Sequence, residues 1–313
     1  MYAPRITLLI LALLLPAMAM AEKGAVPDGY DYAPNPAVWR LRDADTTIYM
    51  FGTIHALPAA LKWRSAALDS IITDVDELVL ETVEDKDTPG EYMNDQLVGA
   101  MLAGVDRKPL LDRVDPENRA VLDQLVAELK LPMDFLDLLP TWMVAFEIFY
   151  SGADNEGVSP QHGVETVLQD VFANQKKPVS GIEDAQTVNA ALNALSEDQQ
   201  LVALNQMLTA IRIAPASSLL PDTSDGEHPF ADDIAWAKGD VSKMAEGSDP
   251  ESMGPDYYQA LLVNRNAAWT EWLAKRLGAP GKILLAVGAA HLAGPDSVQA
   301  MLDKKGFTVE RVH

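Results

Sequence analysis

Two of the five histidines in this 313-residue chain occupy the same kind of place. Phe51-Gly52-Thr53-Ile54-His55 and Val287-Gly288-Ala289-Ala290-His291 each set an imidazole shortly after a glycine that closes an apolar run. Two glutamates close apolar runs in a similar way, in Leu78-Val79-Leu80-Glu81 and Val179-Ser180-Gly181-Ile182-Glu183. Imidazole titrates near neutrality, so it serves as a base, an acid or a metal ligand. Two imidazoles and two carboxylates make a ligand set for a divalent ion such as Mn, Co or Zn. Such an ion would acidify a bound water, and one glutamate could take its proton. Taken singly, each residue has a plainer fate: a hydrogen-bonded structural histidine, or a glutamate in a helix cap or salt bridge. The repeated placement is what points to a shared site. The chain has no His-Glu-x-x-His, so the fold rather than one helix would have to assemble the ligands.

Other chemistry-bearing residues carry less. Arg265-Asn266 lies in a long helical stretch, where the arginine could clamp a carboxylate or an oxyanion, or simply pair on the surface. His162-Gly163-Val164-Glu165 opens a helix and reads as a cap, while His228 falls in an acidic loop and His313 is terminal. Gly278-Ala279-Pro280-Gly281-Lys282 lacks Walker spacing and has no Ser or Thr after its lysine. No Gly-x-Ser-x-Gly is present, which argues against a serine-hydrolase elbow.

Positioning these residues requires strands that end together. Val38–Arg42 and Thr46–Gly52 flank a short acidic turn and predict a hairpin. Helical spacing over 64–73 followed by Glu77–Glu81 predicts a strand, helix, strand unit of the parallel kind. Further strands are expected at 177–183, 283–288 and 307–312. Helices are expected through 89–174 (broken at Pro109, Pro132 and Pro140), 184–213, 256–277 and near 295–304, with a loop at 214–229. The expected fold is α/β: a central mixed, largely parallel sheet with helical insertions near 89–155 and 187–250 covering it. In an open parallel sheet ligands bind beyond the carboxyl ends of the strands, which is where His55, Glu81, Glu183 and His291 fall.

Composition narrows the class. With no cysteine, neither disulfides nor thiolate sites can form, so stability must come from a core, which a chain of this length can supply. A formal charge of −22 opposes binding to nucleic acid or anionic lipid. Residues 1–21 carry Arg5, an apolar run from Ile6 to Leu15 and a small-x-small end at Ala19-Met20-Ala21. These are the parts of a signal peptide, and the run is too short for a comfortable membrane span. Residues 22–313 are then expected to form a single domain, periplasmic or secreted, with no lasting membrane anchor.

In these segments the chain resembles the TraB/PrgY/GumN family. The resemblance rests on Ile48–His55, Glu77–Thr82, Gly163-Val164-Glu165, Lys177–Glu183 with Gln186, Arg265-Asn266, Val287–Gly294 and Gly306–Val309. Together these blocks are specific; singly they are weak. The family is related to the Tiki proteins, membrane-tethered metalloproteases that trim the amino termini of secreted signalling proteins. The resemblance therefore implies a divalent metal, a peptide or protein substrate, and functional roles for His55, Glu81, Glu183 and His291, with Arg265-Asn266 beside them. Asp184 departs from the Thr that relatives often carry, and the helical insertions show little likeness, so substrate choice does not transfer. PrgY-type relatives suggest a peptide-sequestering protein instead, and the erythromycin esterases suggest a metal-free hydrolase with a His base. Export is tested first: mass spectrometry of protein from the periplasm or medium should give an amino terminus near Glu22, and an intact Met1 there would defeat the signal-peptide reading.

Overall fold

The computed structural model describes residues 32–83, 99, 101, 106–155, 158–213, 230–244 and 247–313. The expected signal peptide, the loop at 214–229 and much of the stretch from Pro89 to Arg107 lie outside them. Among the described residues six strands form the main sheet, in the order β6-β4-β7-β2-β1-β8. They are β1 (Val38–Arg42), β2 (Thr46–Thr53), β4 (Glu77–Leu80), β6 (Val179–Gly181), β7 (Gly281–Gly288) and β8 (Val309–Arg311). The β6/β4, β4/β7 and β7/β2 pairs are parallel, whereas β1 runs antiparallel to both β2 and β8. This is the expected α/β fold with a mixed, largely parallel sheet. A two-stranded ladder joins β3 (Leu57–Pro58) to β5 (Val158–Ser159).

The hydrophobic pattern explains the order. From Ile283 onward β7 is wholly buried, Leu284-Leu285-Ala286-Val287 showing no exposure, as a parallel strand covered on both faces must be. Edge strand β8, by contrast, reads Val309-Glu310-Arg311 and leaves its two charged residues in water. The hairpin β1–β2 is as expected. The strand, helix, strand unit is also present, with α1 (Ala66–Asp74) opened by the Ser65 side chain accepting from Leu68 N–H. Its two strands do not touch, however, because β7 is inserted between them.

Helices pack around the sheet and also against one another. Those in 110–155 and 185–213 build a second apolar cluster around Leu122, Trp142, Leu204 and Leu208, beside the sheet's own core. They include α2 (Arg119–Glu128), α3 (Thr141–Asn155), α5 (Ala185–Asn193) and α6 (Glu197–Ile213). Pro109 and Pro132 sit at helix N-caps, where a missing N–H costs nothing. The long helix expected over 256–277 is interrupted: Pro255–Tyr258 is α-helical, Gln259–Val263 forms a π turn, and α7 (Asn264–Arg276) follows. Near the end of β2, Phe51 stacks on Trp63 and on Trp236, which also lie against each other, and Trp236 Nε1–H donates to the Gly52 carbonyl at 2.9 Å. If β7 is the keystone, Leu285→Ala should cost about 2–5 kcal/mol, and Val309→Ala on the edge much less. Urea midpoints with unchanged slopes measure both.

Candidate functional site

The four parallel strands β6, β4, β7 and β2 are consecutive neighbours, and the four sequence-picked residues follow their carboxyl ends. Gly288, the last residue of β7, sits at the centre. A Cβ there would lie 3.1 Å from Glu81 Oε1, 3.4 Å from His55 Nε2 and 3.6 Å from His291 Cδ2. Three of the four side chains thus crowd over a backbone that has no side chain of its own, and the Gly288 N–H donates to Glu81 Oε1 at 2.7 Å. His55 is the open flank, its side chain 42% exposed against 6% for His291. The cluster is therefore most accessible from the His55 side.

Arg265 ties the cluster together. Its Nε donates to Glu183 Oε1 at 2.8 Å, and its Nη2 donates to both Glu183 Oε1 and Glu81 Oε2. Nη1 donates to the Leu261 carbonyl in the π turn at 3.0 Å and lies 3.2 Å from His291 Nε2. Guanidinium has five N–H donors, and these contacts use them all, so Arg265 organises the site instead of clamping a substrate. Trp269, one turn further along α7, lies under the guanidinium at 4.9 Å and packs on the His291 ring at 4.3 Å. Its indole N–H also donates to Glu183 Oε2 at 3.0 Å.

The two imidazoles are held in opposite states. Because Arg265 can only donate, His291 Nε2 must accept, leaving Nδ1–H to donate to Asn266 Oδ1 at 2.6 Å. Asn266 is fixed in turn by donating from its Nδ2 to the Asp296 carbonyl at 2.8 Å. Burial, with Arg265 and His55 adding to it, depresses the His291 pKa to about 3, so the ring is neutral. His55 instead donates from Nδ1 to Glu165 Oε1 at 2.7 Å, and that carboxylate raises its pKa to about 9 against the pull of burial. Burial pushes the Glu81 carboxyl up, but Arg265, both imidazoles and the Gly288 N–H outweigh it and keep Glu81 below the usual carboxylate range. Glu183 is raised by burial, with the Arg265 hydrogen bond and charge opposing.

The kinds of donor suit a divalent ion. The Arg265 guanidinium occupies the space between the Glu81 and Glu183 carboxylates that a shared ion would need. Among the described residues no group of three or more His, Cys, Asp or Glu is set to hold a metal. Neither Thr53 nor Trp269 stands out in the sequence, and Glu165 there reads as a helix cap. Trp269 could have been found as the residue one helical turn from Arg265, and Thr53 as the polar residue that ends β2 just before His55.

Comparison with known proteins gives two consistent findings. The model of the TraB/PrgY/gumN family matches residues 37–311. The chain is also similar to the uncharacterized protein YbaP of Escherichia coli (strain K12), 24% identical over 274 residues, covering 85% of this chain and 92% of that protein. YbaP of Shigella flexneri is 24% identical over 261 residues, covering 81% and 87%.

The histidines also set how stability follows pH. His55 keeps its proton in the fold up to about 9 against 6.5 in the open chain, so its contribution is complete below 6.5 and lost as pH rises through 9. His291 stays neutral down to about 3, so below 6.5 the unfolded chain takes a proton that the fold refuses, and stability falls with pH. The pair therefore places its optimum near 6.5. Melting temperatures across pH should show His55→Gln flattening the alkaline limb and His291→Asn, which keeps a donor for Asn266, flattening the acid limb. Unchanged limbs in both variants would contradict these assignments.

Proposed function

The chain belongs to the TraB/PrgY/gumN family, and from that premise and the geometry over Gly288 we propose that it is a hydrolase of peptides acting outside the cytoplasm. The observation that carries this reading is the convergence of His55 Nε2, Glu81 Oε1 and the His291 ring on one side-chain-free residue, with His55 the most open of the three to solvent. Basic Nε2 faces the space where a scissile carbonyl would lie. Water gives a proton to Nε2 as its oxygen adds to the acyl carbon. That proton then passes to the departing nitrogen, leaving a carboxylic acid and an amine. Glu81, kept ionised by Arg265, stabilises the imidazolium formed in the first step. His291, neutral and pinned between Arg265 and Asn266, walls the cleft and keeps the guanidinium in register.

A metal-dependent form of the same reading is favoured by the donor kinds, two imidazoles and two carboxylates suited to Mn, Co or Zn. It requires Arg265 to leave both carboxylates, so metal uptake and the arginine ion pairs exclude each other. Residues 22–313 should be offered a mixed peptide library in EDTA, then with each ion. The metal-free reading expects cleavage in EDTA, a rate that climbs with pH until His55 loses its proton near 9, and a fall of roughly 10²-fold or more in His55→Ala. Cleavage only with added ion would establish the metal-dependent form. Peptide binding without cleavage under any condition would sink the hydrolase reading and leave a sequestering protein.

A further inference from the structure

Glu165 stands in the first turn of α4 (Val164–Asn174), where an acidic residue ordinarily serves the helix terminus. A residue working for its own helix would turn its oxygens on that helix's free N–H groups. Glu165 does not. Its Oε1 accepts from His55 Nδ1 and from the Thr53 hydroxyl, both on the sheet side, and its Oε2 is buried with no hydrogen-bond partner among the described residues. Thr53 is itself buried at the end of β2.

The backbone is shaped to bring this carboxylate there. The Val164 N–H donates to the Ile54 carbonyl at 3.0 Å. Any Cβ on Gly163 would collide with the His55 carbonyl oxygen, so only glycine permits so close an approach. On the far side, β3 pairs Leu57 with Ser159 and Pro58 with Val158. Residues 158–165 are thus fastened to residues 53–58 at several points, with His55 in the middle. This is more than a helix start requires.

We propose that Glu165, backed by Thr53, is the positioning residue that fixes the His55 ring with Nδ1–H inward and Nε2 turned to Gly288. Without it the imidazole can rotate, or carry its hydrogen on the nitrogen that must act as base. What the base then does rests on the hydrolase reading; how the ring is held does not.

The test labels histidine with ¹⁵N and ¹³C in the wild type and in Glu165→Gln, Glu165→Asp and the nearly isosteric Thr53→Val. Imidazole signals of His55, assigned by its own substitution, report which nitrogen carries hydrogen, with no substrate present. Wild type should show a hydrogen-bonded proton on Nδ1. Glu165→Gln should lose that signature and drop kcat by roughly 10²-fold or more with KM little changed. Glu165→Asp should recover part of both, and Thr53→Val should lose less than Glu165→Gln. If His55 signals in a folded Glu165→Gln match the wild type, the proposal is overturned, whatever happens to kcat. If those signals follow Glu165 while the wild type cleaves nothing, the orientation stands and the hydrolase reading falls.

Discussion

One buried cation governs this site. The guanidinium of Arg265 bridges carboxylates that end two different strands, and neither would be tolerated alone at that depth. Removing one partner of a buried ion pair costs about 3–5 kcal/mol, because the charge left behind has lost its water and found nothing else. Everything nearby takes its state from this pairing. Glu81 stays ionised against its burial, His291 is obliged to accept and is therefore neutral, and Trp269 lines up beneath the guanidinium with its N–H on Glu183. The π turn at Gln259–Val263 belongs to the same arrangement, since it presents the Leu261 carbonyl to the remaining donor.

A site built this way is stiff on one side and open on the other. The Arg265 side is cross-linked by hydrogen bonds, aromatic packing and the Asn266–Asp296 contact. The His55 side faces water and depends on a short loop tied to residues 158–165. The open side is where the two imidazoles differ most, one charged by a carboxylate, the other kept neutral by burial. Environment, not residue type, separates their roles.

Much of this was readable in the sequence because strands announce their own ends. Apolar runs closing on Gly-x-x-His or on glutamate marked four of the cluster's residues, and helical spacing placed Arg265 and Asn266 together. The order of the strands was not readable. Nothing local says that residues 281–288 lie between 46–53 and 77–80, since that pairing depends on which burial pattern best fills the middle of the sheet. Glu165 was misjudged for a related reason: an acid in the first turn of a helix looks alike whether it serves that helix or a histidine far away along the chain. The π turn left no mark either, because its residues are ordinary helix formers.

The insertion of β7 between β2 and β4 has a temporal side. A ribosome delivers β2, β4 and β6 before β7, yet these strands cannot close into the sheet until residues 281–288 emerge. Gly288 and His291 arrive with that segment, shortly after Arg265. Until then His55, Glu81, Glu165 and Glu183 have no common centre, and contacts spanning more than two hundred residues make the final closure slow. A chain that stops before residue 281 is born without a cleft.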